Sequence, residues 1–249
     1  MIILKSQEEI KKMAQACRIV AKTLDYLRDM VKPGVTTKEI ERCADEYIRS
    51  NDAVSAFKGY RDYPASICAS VNDEVIHGIP SSRVLEEGDI LGIDLGAYKD
   101  GFYGDAAYTF PVGKIDKSAQ RLLKVAEEAL YLGIKEAREG NRISDISHSI
   151  QHYAEANGFS VVRAFVGHGI GRNLHEDPQV PNFGMPGRGP RLKAGMTLAI
   201  EPMVNEGGHE VAVLEDGWTA VTLDGGLSAH FEHTILITPD EPRILTKMN

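Results

Sequence analysis

The chain has 249 residues, 43% of them hydrophobic and 26% charged, with a formal net charge of −8. That length admits one large domain or two small ones with a substantial core. The acidic balance argues against nucleic acid as the main partner and leaves room only for a small basic patch.

Reading from the N-terminus, MIILKSQEEIKKM is too short of apolar residues for a signal peptide. Ser6 and Glu9 form a capping-box pattern that opens a helix. Ile10, Met13, Cys17, Ala21, Leu24 and Leu27 continue it at helical spacing until Lys32-Pro33-Gly34. A second helix starts near Thr36 and Thr37, and short strand-like runs follow around 65–71, 90–95 and 106–112. Residues 118–138 and 144–156 predict two more helices, the last closed by Asn157-Gly158. Strands are expected at 160–166, 196–204, 211–214, 218–223 and 230–237. DPQVPNFGMPGRGP (177–190) reads as a long Pro- and Gly-rich loop. No run approaches the roughly 18 apolar residues of a membrane span. Cys17, Cys43 and Cys68 form no CxxC, so the expectation is a reduced, soluble, cytoplasmic chain.

The chain also resembles itself. Residues 34–54 are similar to 140–161 in helix length, cap and exit, and LEEGDILGIDLG (85–96) is similar to LKAGMTLAIEPM (192–203) at nearly the same offset. If the repeat is real, two pseudo-symmetric units carry Asp94 and Glu201 as equivalent acids on equivalent strands.

Five groups interrupt apolar or glycine-rich contexts: Asp94, Asp105, His168, Glu201 and Glu232. A lone carboxylate inside a sheet must be paired, neutralised or bound to a cation. Each one alone could be a hydrogen-bonded residue at a sheet edge. All five together, with few Lys or Arg in comparable positions, point to a pair of divalent cations bridged by carboxylates. A carboxylate-rich set with one imidazole suits Mn, Fe or Co better than a sulfur-ligated structural zinc. HSIQH (148–152) lacks the glutamate of a zincin helix and reads as a solvated helix face. GHGIGR is not a dinucleotide fingerprint, and neither GxSxG nor GxxxxGK[ST] is present. His230 and His233 beside Glu232 read as structural or exposed. His77 and His175 open Gly/Pro-containing loops, where substrate-handling groups are placed.

With these residues assembled, NDEVIHGIP (72–80), IDLGAYKDGFYGDAAYTF (93–110), GHGIGRNLHEDP (167–178), LAIEPM (198–203) and SAHFEHTILIT (228–238) resemble the bacterial form of the type I methionine aminopeptidases, within the pita-bread metallopeptidase superfamily, over nearly the whole chain. The resemblance implies an α+β pita-bread fold. Pseudo-two-fold αβ halves (about 1–115 and 116–249) would share a central curved antiparallel sheet covered by helices, as one catalytic domain over 1–249.

It also implies that Asp94 and Asp105 hold one metal and His168 and Glu201 the other, with Asp105 and Glu232 bridging. The two divalent ions would be Co, Mn, Fe or Zn. The implied attacking group is a water or hydroxide between the ions. Glu201 would act as general base, His175 would polarise the scissile carbonyl, and His77 would hold the substrate or its leaving nitrogen. A monovalent cation is implied near Asn72 and Ser228. Tyr60, Tyr63, Cys68 and Trp218 match the methionine-pocket positions, while Phe57 and Leu174 stand where other members carry different residues. The alternative reading of Trp218 is a plain core residue.

His168, Glu201 and Glu232 follow one another too closely for the helical insertion of type II enzymes. With the first helix starting so early, the expectation is a form without the N-terminal zinc-binding extension of eukaryotic type I enzymes. The expected partners are N-terminal Met peptides and nascent chains near the ribosome, acted on by a monomer. A proline-specific exopeptidase on the same fold, or a catalytically silent binding protein, are the other readings.

Overall fold

The computed structural model describes residues 1–247. Helix α1 (Gln7–Arg28) starts at Ser6, whose side chain accepts the Glu9 N–H while Glu9 accepts the Ser6 N–H at 2.8 Å. Helix α2 (Thr37–Ser50) repeats the device with Thr36 and Glu39. Each reciprocal pair satisfies two donors that the helix cannot satisfy internally. The apolar stripe of α1 lies on a ten-residue hairpin, Ile90–Lys99 against Phe102–Pro111, joined at Asp100-Gly101. A Cβ on Gly104 would fall 2.6 Å from the Cys17 nitrogen, so glycine sets how closely helix and hairpin approach. Cys68–Val71 and Val54–Ser55 add antiparallel partners to the Ile90–Lys99 strand.

Helix α3 (Lys117–Glu136), capped by Asp116 at 2.7 Å, and helix α4 (Ile143–Ala156) cover a second sheet. Its antiparallel order is 243–244, 233–236, 197–200, 166–169, 176–181. The apolar cluster under α1 and α2 draws on residues 19–112, and the one under α3 and α4 draws mainly on 115–237. A third cluster, with Met13, Phe57, Cys68, Phe102, Ile170 and Leu174, lies between them. The two sheets meet where the Glu232 N–H donates to the Ala107 carbonyl at 2.9 Å.

All four helices form within two residues of their expected bounds, apart from α1, which stops at Arg28, ahead of Lys32-Pro33-Gly34. The strands depart more. Part of the expected 177–190 loop is strand 176–181, because Pro178 and Pro181 sit on a sheet edge where no ladder N–H is required. The expected strand 160–166 is paired only at its two ends, at Ser160–Val161 and at Val166, where the strand 166–169 begins. The runs 196–204 and 230–237 each break in the middle, at Glu201-Pro202 and Phe231-Glu232. Pro202 has no N–H for a ladder bond, and the Glu232 N–H is turned to the neighbouring sheet. No helix among the described residues is long and apolar enough to cross a membrane.

Thr36→Ala removes one half of the α2 capping box. It is expected to cost about 1 kcal/mol, seen as a fall of about 2–4 °C in the thermal unfolding midpoint.

Candidate metal centre

In the hairpin, Asp94 lies opposite Ala107 and Asp105 opposite Gly96, so the two acids are diagonal neighbours on one face. A Cβ on Gly96 would lie 3.3 Å from Asp105 Oδ1 and 2.8 Å from the Ala56 Cβ. Glycine at 96 therefore gives the carboxylate its space. The Asp105 backbone is clamped by Thr234, whose hydroxyl accepts the Asp105 N–H at 3.1 Å and donates to the Asp105 carbonyl at 2.7 Å. Glu201 and Glu232 sit at the two strand breaks, freed from ladder geometry. Asn182 holds the Glu201 carbonyl at 3.1 Å.

His168 comes from the strand 166–169. Its Nδ1 is 2.9 Å from the Gly169 carbonyl, a contact that requires Nδ1–H and leaves the Nε2 lone pair free. Burial pushes its pKa down to about 3, with His175 adding to the shift, so the imidazole is neutral as a ligand must be.

Donor atoms of Asp105, His168 and Glu232, all buried, lie within 4.8 Å of one another, and His168 Nε2 is 3.4 Å from Glu201 Oε1. Among the described residues, Asp94 Oδ1, Asp105 Oδ1 and Glu232 Oε1 are buried oxygens with no hydrogen-bond partner. Burial raises the pKa of Asp94 to about 7. Asp105, Glu201 and Glu232 are raised by burial first; the charge of Asp94 adds to all three, that of Asp105 to Glu201 and Glu232, and that of Glu201 to Glu232. Arg61 is the one Lys or Arg side chain lining the cavity. Orphaned oxygens converging beside a free imidazole nitrogen are what a divalent cation requires, and the oxygen-rich set with one nitrogen fits Mn, Fe, Co or Zn.

One cavity is lined by these five residues and by every other residue singled out in the sequence for substrate contact. Phe57, Tyr63, Cys68 and Leu174 are buried wall residues. Trp218 is only partly buried and meets Tyr63 edge-on at 5.1 Å, so it is a wall of the cavity and not a plain core residue. His77, at φ 60°, sits edge-on to Phe165 and Trp218, and burial lowers its pKa to about 4. His175 stands at the exposed side of the cavity with its ring centroid 4.2 Å from that of His168. Its Nδ1 is 2.8 Å from the Tyr60 hydroxyl, and burial, then Arg61, lowers its pKa. Asn72 and Ser228 are also neighbours, the Ser228 N–H donating to the Asn72 carbonyl at 2.9 Å.

His230 and His233 are both buried, and the expectation that they are structural or exposed needs correction only for His230. His233 is structural, bonded to Thr246 at 3.0 Å. His230 has an unpartnered Nε2, 3.9 Å from Glu201 Oε2, and so belongs to the surroundings of the centre. His230 ends one strand just before the break and folding brings it beside Glu201, whereas His233 opens the next strand and turns to Thr246. Arg61, Gly96, Asn182 and Thr234 were not singled out by the sequence reading, since each acts only through a partner distant in the chain. His148 and His152 lie partly or fully exposed on α4, stacked at 5.7 Å, as a solvated face implies.

The family model of metallopeptidase family M24 matches residues 11–239. The chain belongs to this family. The methionine aminopeptidase of Clostridium perfringens is 56% identical over 99% of both chains. Methionine aminopeptidase 1 of Bacillus subtilis is 54% identical over the full length of both. The crystal structure of a Thermotoga maritima methionine aminopeptidase superposes with a TM-score of 0.98 at 50% identity, covering 99% of this chain and all of that one. A Pyrococcus horikoshii prolidase shares the fold at a TM-score of 0.82 and 24% identity over 65% of its own length. This M24 chain thus has the pita-bread architecture and is a metal-dependent peptidase, aligned end to end with methionine aminopeptidases.

Folding holds these carboxyls above their unfolded pKa values. The stability they contribute is complete below about pH 4 and is lost as pH rises through the folded values, about 7 for Asp94. A divalent cation, which needs the ionised forms, offsets that loss. Mn or Co added to chelator-treated protein is expected to raise the thermal midpoint more at about pH 7.5 than at about pH 5.5. Scanning calorimetry at both pH values checks this, and equal shifts would contradict it.

Proposed function

We propose that the chain removes the initiator methionine from peptides and newly made proteins by metal-assisted hydrolysis of the first peptide bond. The observation that carries this reading is the union, in one cavity, of unpaired carboxylates with an apolar wall of side-chain dimensions. A methionine side chain is unbranched and polarisable and packs well against rings such as those of Phe57, Tyr63 and Trp218. Asp94 and Asp105 would hold one divalent ion, His168 and Glu201 the other, with Asp105 and Glu232 shared. The short distances among Asp105, His168 and Glu232 support a cation held by these three. Bound there, the ions supply Lewis acidity, polarising the scissile carbonyl and acidifying water.

The side chains do the rest. Glu201, whose carboxylate lines the cavity and whose basicity burial raises, accepts the proton of the attacking water. His175, oriented by Tyr60, donates to the carbonyl oxygen as it gains charge. His77, neutral and buried against two rings, holds the substrate or its leaving nitrogen. Phe57, Tyr60, Cys68 and Leu174 complete the pocket for the side chain. A monovalent cation near Asn72 and Ser228 would brace the loop before the hairpin.

The same reading takes residues 1–249 as a single domain of two related units, supported by matching helix pairs of 22 and 14 residues and of 20 and 14 residues. It sets the protein at work as a monomer in the cytoplasm on chains leaving the ribosome.

Metal-loaded protein is expected to cleave a Met-Ala-Ser peptide and to leave Xaa-Pro peptides intact, with no cleavage after chelation. Faster turnover of Xaa-Pro peptides would replace the reading by a proline-specific one. Glu201→Gln is expected to lower kcat by about 10²- to 10⁴-fold. His175→Ala is expected to lower kcat by about 10²-fold with little change in KM. Steady-state kinetics with metal content measured in parallel checks both.

A further inference from the structure

The segment ahead of α1 is tied to the loop that carries His175. The Lys5 N–H donates to the Gly195 carbonyl at 2.8 Å, which draws the segment along the second sheet. The Lys5 ammonium is paired with the Glu176 carboxylate, and the two side chains are only 3% and 5% exposed. A charge pair so enclosed leaves a bare buried charge if either partner is lost.

Glu176 does more than neutralise Lys5. Its Oε1 accepts the backbone N–H groups of Arg172 at 2.8 Å and Asn173 at 3.2 Å, folding the loop back on itself. The Arg172 guanidinium then reaches Glu9 in the first turn of α1, at 3.0 and 3.2 Å, and lies 4.8 Å from the centre of the Phe102 ring. The loop so held runs from the His168 strand to the Glu176 strand and presents Leu174 and His175 to the cavity. Neither Lys5 nor Glu176 lines that cavity.

We infer that the Lys5–Glu176 pair is a latch by which the N-terminal segment sets the position of His175, which makes Lys5 and Glu176 positioning residues for peptide hydrolysis. Tyr60 fixes the ring of His175 from one side, and the latch fixes its backbone from the other. The inference rests on the role given to His175 above. A group that acts on charge developing in the transition state is sensitive to small displacements, and its loss appears in kcat more than in KM.

Lys5→Met keeps most of the stem and removes the charge. It is expected to lower kcat on a Met-Ala peptide about 10- to 100-fold, with KM and the calorimetric affinity for Mn nearly unchanged, and Lys5→Arg is expected to restore most of the loss. A latch that acts through His175 has nothing left to lose once the imidazole is gone. In a His175→Ala background the effect of Lys5→Met is therefore expected to shrink to under about twofold. An equal loss in both backgrounds, or a lowered thermal midpoint with kcat intact, would overturn the inference. If Lys5→Met does not fold, Glu176→Gln carries the same comparison, since it keeps an acceptor for Arg172 and Asn173. An unchanged kcat in His175→Ala alone overturns the role of His175, and the latch with it.

Discussion

Four carboxylates gathered in one enclosed place repel one another and have given up most of their water, and the rest of the structure is arranged around that fact. Such a cluster is unstable by itself. Protonation or divalent cations can relieve it, and the raised pKa values of Asp94, Asp105, Glu201 and Glu232 record the demand. A lysine or arginine in the floor of the site would have relieved it permanently and left nothing for a cation to do.

The backbone concentrates its irregularities at that point. Regular strands supply Asp94 and Asp105, where a strict register fixes two side chains on one face. Broken strands supply Glu201 and Glu232, where the ladder gives way and a side chain can be aimed independently. The backbone groups released by the breaks find partners: Asn182, just past the edge strand of the same sheet, takes the Glu201 carbonyl, and Ala107 of the hairpin sheet takes the Glu232 N–H. The bond from Glu232 to Ala107 ties the two sheets together, so the device that aims that ligand also joins the two main cores.

Much of this was legible in the sequence because the signals are local. Ser6-Glu9 announces a helix start within four residues, and an Asp inside Ile-Leu-Gly-Ile-Asp-Leu is anomalous wherever the strand lies. The ligand set was legible for the same reason, and resemblance to a family carried the pocket residues. What escaped was relational. Pro178 and Pro181 look like loop residues until the strand is known to lie on an edge. His230 looks structural until Glu201, far away in the chain, is brought beside it. Lys5 is an ordinary lysine in the sequence, and only folding reveals that it is enclosed with Glu176.

The division of the cores has a consequence for how the molecule could be taken apart. Asp94 and Asp105 precede α3, and His168, Glu201 and Glu232 follow it. The apolar cluster under α1 and α2 uses residues 19–112, while Ile90 is the one fully buried member that the cluster under α3 and α4 takes from before residue 115. A chain severed in the short connection ahead of α3 would leave two fragments, each with most of a core and neither with a whole ligand set. Fragments of that kind reassociate through the seam they once shared, and ions that need acids from both sides would act as the rivet.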